Sequence, residues 1–193
     1  MTDANPCRCG WARSGLEREY HDTEWGVPNR EEHHVFEMLT LEGAQAGLSW
    51  ETILKKRDGY RKAFKNFDPA KVARFTAKDF DRLMQDASIV RNRLKIESTI
   101  NNAQAVLQLH KDGTSLSEVV WSIVDNKPVI NRFKTLKDLP AQTETSKKLS
   151  KELKKRGFRF VGPTTMYAMM QAIGMVNDHT TDCFRHAICA KMK

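Results

Sequence analysis

The chain has 193 residues, of which 40% are hydrophobic, and it carries a formal net charge of +8. This length allows one domain with a buried core, and no stretch approaches the roughly 20 apolar residues of a membrane span. Its polar start has no apolar segment behind it, so we expect a cytoplasmic protein without membrane contact. We also expect a monomer. The excess positive charge favours an anionic partner. The four cysteines indicate free thiols or metal ligands rather than disulfides.

Helical signals dominate the chain. Apolar residues recur at helical spacing in three segments, Glu31 to Leu41, Ser49 to Phe64 and Arg91 to His110. Two further helix starts are indicated by a hydroxyl followed three positions later by an acid, at Thr76–Asp79 and Ser115–Glu118. Strand signals are nearly absent, because the stretch from Lys127 to Ile130 is too short to build a sheet. The sequence predicts a single all-α domain over residues 1–193.

The most informative segment runs from about residue 146 to residue 174. Its first half, Ser146 to Arg156, has the pattern of a basic amphipathic helix. The stretch Gly157-Phe-Arg-Phe-Val-Gly162 then predicts a tight turn, because a glycine at each end reaches positive φ easily. A second helix follows from Thr164 to Ile173, with Pro163 suited to its first turn. The sequence therefore predicts a helix-hairpin-helix.

This hairpin predicts a contact with DNA phosphates. Amides at the N-terminus of its second helix point outward, and the helix dipole favours an anion there. Such contacts hold a nucleic-acid backbone without reading its bases. The residues assigned to this contact are Gly157, Gly162, Thr164, Lys155, Arg156 and Arg159. The alternative is an ordinary surface hairpin with a solvated basic face.

Potential metal ligands are split between two segments, at about residues 7–25 and 176–189. Two thiolates and two imidazoles form a closed tetrahedral zinc set, so the zinc would tie the two segments together and have a structural role. The predicted ligands are Cys9, His21, His179 and Cys183. Rival ligands are Cys7, Cys189, His186 and the pair His33-His34, and the alternative is a set of unrelated thiols and surface histidines. Asp178 either fixes the neighbouring imidazole or is a solvated surface acid.

A third cluster combines aromatic residues with one carboxylate. Glu42 stands among small, mostly uncharged residues, where a buried carboxylate needs a partner. Aromatic rings stack on a base that has been extruded from a duplex, and a carboxylate complements a cationic base. The aromatic candidates are Trp11, Tyr20, Trp25 and Trp50. The alternative is that the tryptophans belong to the core and that Glu42 caps a helix or meets an arginine.

Taken together, these segments resemble DNA-3-methyladenine glycosylase I, a family of helix-hairpin-helix DNA glycosylases. The matching stretches run in order over nearly the whole chain: Arg8-Cys-Gly-Trp11, Tyr20-His-Asp, Glu24-Trp-Gly-Val-Pro28, Phe36-Glu-Met, Leu41-Glu-Gly, Gln45-Ala-Gly-Leu-Ser-Trp50, Leu54-Lys-Lys-Arg57, Lys154-Lys-Arg-Gly-Phe158, Phe160-Val-Gly162 and Val176-Asn-Asp-His179 with Cys183. Chance does not produce agreement of this length.

The resemblance implies roles for individual residues. The four predicted zinc ligands match those of the family, and Glu42 matches the acid that hydrogen-bonds the excised base. Tyr20 and Trp50 match aromatic residues of the base pocket, with Trp11 beside them. Where the family often has a proline and a tyrosine, this chain has Gly15 and Glu17. One aromatic wall of the pocket is therefore missing or comes from another segment.

The resemblance also implies the reaction, which is hydrolysis of the N-glycosidic bond of 3-methyladenine in alkylated double-stranded DNA. Alkylation at N3 makes adenine a cation, so the base leaves neutral and no strong general acid is required. Asp178 and Asp182 follow the hairpin, where related glycosylases carry a catalytic aspartate. Both flank the predicted zinc ligands, so they are assigned no catalytic role. No lysine is clearly placed for Schiff-base chemistry, so we expect a monofunctional enzyme that leaves an abasic site.

Two other classes of protein compete with this interpretation. A non-catalytic DNA-binding module would keep the hairpin and the zinc, but it would not need Glu42. A zinc hydrolase would need an open position on its metal, and the predicted ligand set offers none.

Overall fold

The computed structural model describes residues 6–192. Ten α-helices occur in this range: α1 (Gly15–Thr23), α2 (Glu32–Gln45), α3 (Trp50–Ala63), α4 (Pro69–Val72), α5 (Ala77–Gln85), α6 (Arg93–Lys111), α7 (Leu116–Ser122), α8 (Glu144–Lys155), α9 (Pro163–Ala172) and α10 (Phe184–Cys189). Short 3-10 turns cover Lys65–Phe67 and Leu136–Asp138. The predicted helical character is confirmed. No helix of the described residues is both long and apolar enough to cross a membrane.

The predicted helix starts are confirmed by their hydrogen bonds. The Glu118 carboxylate accepts from the amide of Ser115 at 2.8 Å, and the Ser115 hydroxyl caps the amide of Glu118 in return. At the start of α5 the Asp79 carboxylate accepts from the amide of Thr76 at 2.9 Å. These bonds satisfy amides that have no partner inside the first helical turn.

Helix α2 is the central element of the fold. Every residue from Val35 to Ala44 is buried, and the helix packs against α3, α6, α7 and α9. Because neighbours cover all of its faces, its polar residues are buried along with its apolar ones. Glu42 lies near the C-terminal end of this helix, which explains why a carboxylate is found inside the protein.

A buried arginine joins helices α1, α2 and α3. Arg57 of α3 makes a bidentate ion pair with Glu24 at the end of α1, with both N–O distances at 2.7 Å. Its Nε also donates to Glu37 of α2 at 2.8 Å. Burial alone would raise the pKa of Glu37, but hydrogen bonds from Arg57 and Arg61 hold it below its usual value. This network fixes α1, α2 and α3 relative to one another.

One short parallel pair of strands departs from the all-α prediction. Val129–Ile130 (β1) pairs with Val176–Asn177 (β2), with Val129 opposite Val176. The expectation that the stretch from Lys127 to Ile130 is too short to build a sheet was wrong, because its last two residues form one strand of a two-stranded sheet. The partner segment lies far along the chain, so no local pattern marks this pair. It fixes the segment that leads into His179.

Candidate functional site

Four buried ligand atoms meet where the two ends of the described chain come together. His21 Nε2 lies 3.2 Å from His179 Nδ1, and the Cys183 Sγ lies 3.4 and 3.5 Å from these two nitrogens. Cys9 Sγ lies 3.5 Å from His179 Nδ1. A tetrahedral site with Zn–N near 2.0–2.1 Å and Zn–S near 2.3 Å has edges of about 3.3–3.8 Å. These four distances match such edges, and the four ligand atoms belong to buried residues and all lie within 4.8 Å of one another.

The electrostatics of this Cys/His cluster also suit a cation. A hydrogen bond from the Cys9 thiol holds the pKa of Cys183 far below its usual value. A thiolate is the form of cysteine that binds metals. The cluster can therefore hold a metal ion.

The outer nitrogen of each imidazole has an acceptor that fixes the tautomer. His21 Nδ1 lies 2.8 Å from Asp22 Oδ1, and Arg8 in turn pairs with Asp22 at 2.7 Å. His179 Nε2 lies 2.9 Å from the carbonyl oxygen of Trp25. Because both acceptors require an N–H, His21 Nε2 and His179 Nδ1 keep their lone pairs for the cluster. Outer partners of this kind are typical of metal-binding histidines.

The sequence left two roles open for Asp178, to fix an imidazole or to be a solvated surface acid, and both were wrong. Asp178 is buried, and its carboxylate accepts from Asn131 Nδ2 at 2.6 Å, from the hydroxyl of Tyr167 and from Gln171 Nε2 at 2.8 Å. These partners come from the segment after β1 and from α9. Asp178 therefore joins the C-terminal part of the chain to α9 and stands outside the Cys/His cluster.

The rival metal ligands lie outside the cluster. Cys7 is exposed, with its Sγ 3.4 Å from Asp182, and Cys189 is buried elsewhere. His186 Nε2 lies 2.8 Å from the carbonyl of Asn131. His34 faces Glu37 at 3.9 Å, and its neighbour His33 is exposed. Among the described residues, the predicted set of four is the one that forms a cluster.

A cavity of about 270 Å³ opens beside this cluster. It is lined by Trp11, Glu17, Tyr20, Trp25, Glu42, Gln45, Trp50, Leu139, Ala168 and Gln171. All four residues assigned to base binding from the sequence are among them. The Tyr20 ring lies 5.3 Å from that of Trp50 and 6.3 Å from that of Trp11, measured between centroids. The cavity has room for one flat heterocycle, with aromatic rings on its walls.

Unpartnered polar groups point to a ligand in this cavity. Trp11 Nε1, Tyr20 OH and Trp50 Nε1 are buried and have no hydrogen-bond partner among residues 6–192. Burying such groups without partners costs free energy, and each calls for an explanation. Three of them around one cavity indicate a site that supplies hydrogen bonds to a bound molecule.

Glu42 is the one ionisable carboxyl among the residues that line the cavity without a hydrogen-bond partner. The side chain is 7% exposed, and it has no hydrogen-bond or ion-pair partner among residues 6–192. Burial raises the pKa of its carboxyl to about 8. The two alternatives from the sequence, a helix cap or a contact with an arginine, were therefore wrong. A carboxylate without a countercharge in an aromatic cavity is suited to a cationic ligand.

Glu17 occupies the place where the sequence raised the question of a missing aromatic wall. It lines the cavity, and its Oε2 accepts from the amides of Arg13 and Ser14 at 3.0 Å each. Glu17 thereby caps α1, while Gly15 is the first residue of that helix. Trp25 supplies an aromatic ring to the cavity from beyond the end of α1.

The predicted helix-hairpin-helix is formed by α8, a turn and α9, and the two helices pack against each other. Gly157 has a φ of +84°, as predicted. The same prediction for Gly162 was wrong, because Gly162 has φ −62° and caps α9, while Phe160 takes the positive φ of 57°. A Cβ added at Gly162 would meet no atom within 4 Å. The start of α9 is therefore open to a ligand.

The side chains assigned to phosphate contact differ in their surroundings. Lys155, Arg159 and Thr164 are exposed beside the turn. Arg156 pairs with Glu152 of its own helix at 2.7 Å. A second groove runs from the start of α9 to the aromatic cavity, since Thr164 and Glu42 both line it. The start of the second hairpin helix therefore lies next to that cavity.

Some residues of the cavity carried no assignment from the sequence. Ala168 and Gln171 come from α9 at a spacing of three, which places them on one helix face, but their residue types suggest no special chemistry. Leu139 comes from the segment between β1 and α8, where the sequence offers no pattern. Contacts between distant segments bring these residues to the cavity.

Comparison with known proteins gives matches over nearly the whole chain. A sequence model of the family described as methyladenine glycosylase matches residues 11–186. The DNA-3-methyladenine glycosylase of Haemophilus influenzae is 49% identical over 177 residues, which cover 91% of this chain and 96% of that protein. DNA-3-methyladenine glycosylase 1 of Escherichia coli is 51% identical over 177 residues, which cover 91% and 95%.

Solved structures match equally well. A crystal structure of 3-methyladenine DNA glycosylase I aligns with a TM-score of 0.90 and 49% identity, covering 92% of this chain and 98% of that chain. The Staphylococcus aureus structure concerned with 3-methyladenine recognition aligns with a TM-score of 0.88 and 39% identity, covering 92% and 95%. A Tyr→Phe variant of 3-methyladenine DNA glycosylase I, in complex with 3-methyladenine, aligns with a TM-score of 0.88 and 39% identity. The alignment covers 92% of this chain and 96% of that chain.

Proposed function

Because the chain belongs to the methyladenine glycosylase family, we propose that it excises 3-methyladenine from alkylated double-stranded DNA and leaves an abasic site. The observation that carries this proposal is Glu42, a buried carboxyl without a partner in an aromatic cavity. A neutral ligand would gain little from such a group, whereas a purine made cationic by alkylation complements it.

The reaction requires little acid–base chemistry from the protein. The C1′–N9 bond breaks, and its electron pair goes to the alkylated base, which thereby becomes neutral. Water adds to C1′ and loses a proton. Because the leaving base already carries a positive charge, its protonation is unnecessary. The protein therefore acts by extruding the base, holding it and letting the bond open to an oxocarbenium-like sugar that water captures.

Glu42 selects the lesion through charge and hydrogen bonding. In the free protein its pKa near 8 keeps much of the carboxyl protonated at neutral pH. A cationic base beside it lowers that pKa, so binding and deprotonation are coupled. An unmodified adenine lacks the charge, and its removal from a paired stack costs more than removal of a damaged base.

The aromatic residues hold the base in place. Tyr20 and Trp50 face the cavity from α1 and α3, and Trp11 lines it from the segment before α1. Stacking on these rings satisfies the flat faces of a purine, while Tyr20 OH and the two indole N–H groups lack protein partners. The base supplies the ring faces and acceptor atoms that these groups can use.

The hairpin holds the DNA backbone. We assign phosphate contacts to its turn and the start of α9, through the residues Gly157, Gly162, Thr164, Lys155, Arg156 and Arg159. The open space at Gly162 allows a phosphate to approach the amides at the helix N-terminus. These contacts do not depend on sequence, which suits an enzyme that searches for damage.

The metal of the Cys/His cluster is assigned as zinc with a structural role. Two thiolates and two imidazoles at tetrahedral spacing suit zinc, and the four residues are each at most 3% exposed. Cys9 and His21 on one side, and His179 and Cys183 on the other, would tie the two ends of the described chain together. A site this enclosed leaves no position for a reacting water, which argues against a zinc hydrolase.

We also assign the enzyme as monofunctional. A Schiff base with the sugar needs an amine nucleophile at the cavity, and the residues that line it include no lysine. Incubation with methylated duplex DNA and borohydride should therefore give no covalent adduct. An adduct between protein and DNA would contradict this assignment.

The first test measures release of free 3-methyladenine from methylated duplex DNA by the intact protein and by Glu42→Gln. We expect release by the intact protein and a loss of roughly a hundredfold or more in the variant, which keeps the shape but not the charge. Glu97→Gln, on the exposed side of α6, is the matched control. Equal release by the intact protein and Glu42→Gln would remove Glu42 from the mechanism. No release by folded, metal-loaded protein would leave a non-catalytic DNA-binding module.

A further inference from the structure

Two adjacent asparagines of α6 hold the backbone of the hairpin turn. Asn102 uses both polar atoms of its side chain on one residue, because Nδ2 donates to the Arg159 carbonyl at 3.0 Å and Oδ1 accepts from the Arg159 amide at 2.8 Å. Asn101 Nδ2 donates to the Gly157 carbonyl at 2.8 Å. Asn102 is 3% exposed, so these bonds are shielded from water.

The turn that they hold has an unfavourable backbone conformation. Phe160 has a φ of 57°, a region that residues with a Cβ rarely occupy, and Gly157 has a φ of 84°. Such a conformation persists only where surrounding contacts select it. The paired bonds to Arg159, directly before Phe160, are contacts of this kind.

The same helix also holds the loop that faces the hairpin. Lys95 of α6 donates from Nζ to the carbonyls of Ala44 and Ala46 at 2.8 and 2.7 Å. These two residues lie at the C-terminal end of α2, where the loop to α3 begins. The two held segments touch, because a Cβ added at Gly43 would lie 3.4 Å from the Cβ of Phe160. Helix α6 therefore holds one wall of the groove that leads to the base cavity, and it also holds the turn before α9, whose first residues line the other wall.

We propose that Asn102, supported by Asn101, is a positioning residue that presets the hairpin backbone for DNA phosphates. Amides bind an anion most tightly when they already point at it, because binding then requires no ordering of the turn. Neither asparagine needs to touch DNA for this effect. The inference rests on the proposed function, since it takes the hairpin to be the contact with the DNA backbone.

The experiment compares three variants with the intact, metal-loaded protein. Asn102→Leu removes both bonds to Arg159 at similar volume, and Asn102→Asp keeps the acceptor but loses the donor. Gln104→Leu makes the same kind of change at an exposed position of α6 and is the control. The probes are a duplex with a tetrahydrofuran abasic-site analogue, over a range of salt concentrations, and free 3-methyladenine, followed by tryptophan fluorescence.

We expect Asn102→Leu to weaken duplex binding roughly tenfold or more and to reduce the salt slope by about one phosphate contact. KM for the alkylated duplex should rise by a similar factor, while the single-turnover rate at saturation changes less than about threefold. Affinity for free 3-methyladenine should stay within about twofold, because the cavity is intact. Asn102→Asp should fall between, and Gln104→Leu should match the intact protein.

Several outcomes would overturn the inference. A folded Asn102→Leu protein with unchanged duplex affinity and salt slope would show that the hairpin needs no such support. An equal loss of duplex and free-base affinity would show general damage instead of positioning. If Asn102→Leu does not fold, wild-type duplex affinity in Asn102→Asp decides against the proposal. Failure of the proposed function looks different, because the intact protein itself would then release no 3-methyladenine from the alkylated duplex.

Discussion

The ring of Trp11 lies against the imidazole of His21, with the two centroids 5.4 Å apart. Trp25 and His179 make a similar contact at 4.6 Å. Each tryptophan lines the base cavity, and each histidine belongs to the Cys/His cluster. The two sites therefore share a wall of packed rings, and a change in the cluster reaches the cavity through it.

Removal of one cluster ligand should affect both stability and base binding. For Cys183→Ser we expect loss of bound zinc and a fall in the free energy of unfolding of at least about 3 kcal/mol, because metal binding contributes directly to folding. Zinc content by mass spectrometry and urea unfolding would measure the two effects. Affinity for 3-methyladenine should fall as well, through the shared wall.

Cys7→Ser is the control for this change, because Cys7 is exposed and lies outside the cluster. Its zinc content and unfolding should match those of the unchanged protein. With a chelator, activity should decline at the rate at which the fold is lost. Immediate inhibition with an intact fold would instead indicate a metal that takes part in the reaction.

Glu42 should make the stability of the protein depend on pH. The unfolded carboxyl titrates near 4.5, and burial raises the folded pKa to about 8, so folding favours the protonated form. The contribution of Glu42 to the free energy of unfolding is fully present below pH 4.5 and is lost as the pH rises through 8. Relative to Glu42→Gln, the protein should lose about 1.4 kcal/mol per pH unit in this window, roughly 5 kcal/mol in total.

Urea unfolding of both proteins from pH 4 to pH 9 would test this directly, because every other group titrates alike in the two. The difference between their free energies of unfolding isolates Glu42. A difference that stays flat with pH would mean that folding does not raise the pKa of Glu42.

The affinity for a permanently cationic purine should rise with pH, whereas the contribution of Glu42 to stability falls. A 3,9-dialkylated adenine keeps its charge and has no sugar to lose, and it should bind the ionised form of Glu42. Its affinity should rise about tenfold per pH unit below the pKa and level off near pH 8. In Glu42→Gln the profile should be flat and the affinity low. The same flat profile in the unchanged protein would contradict charge recognition by Glu42.

Tyr20→Phe should separate function from stability. The hydroxyl of Tyr20 is buried and has no partner in the part of the chain that the structure describes, so its loss should leave stability unchanged or raise it by up to about 1 kcal/mol. Excision should decline, because the hydroxyl is available only to the base. Tyr60→Phe is the control, because its hydroxyl accepts from the amide of Val90 at 3.2 Å. That variant should lose about 1 kcal/mol and keep its activity.

The sequence predicted the elements and residue types of the site better than their surroundings. The Cys/His set is recoverable because zinc restricts ligand types, and Glu42 stands out because a carboxylate is unusual among small, uncharged residues. The hairpin is recoverable because Gly157 and Pro163 mark local backbone geometry. These signals depend on chemistry that is local in the chain.

The errors arose where distant segments meet. Asp178 binds Asn131, Tyr167 and Gln171, whereas Asp22 is the acid that holds an imidazole. Adjacency in sequence suggested Asp178, but side-chain direction decides the contact. Gly162 was likewise expected to have a positive φ, but Phe160 takes that conformation. The turn is held there by the hydrogen bond between Asn102 of α6 and the amide of Arg159.

Gly162→Ala should impair DNA binding without harm to the fold. The backbone at Gly162 has a φ of −62°, which alanine adopts freely, and a Cβ there meets no protein atom within 4 Å. Stability should therefore hold or rise by about 0.5 kcal/mol, since alanine restricts the unfolded chain. A phosphate close to the start of α9 would meet the added methyl group, so duplex affinity should fall roughly fivefold to tenfold. Gly157→Ala is the contrasting variant, because its φ of +84° should cost about 1 kcal/mol of stability. If Gly162→Ala binds the duplex as tightly as the unchanged protein, the backbone of the DNA does not approach this end of α9.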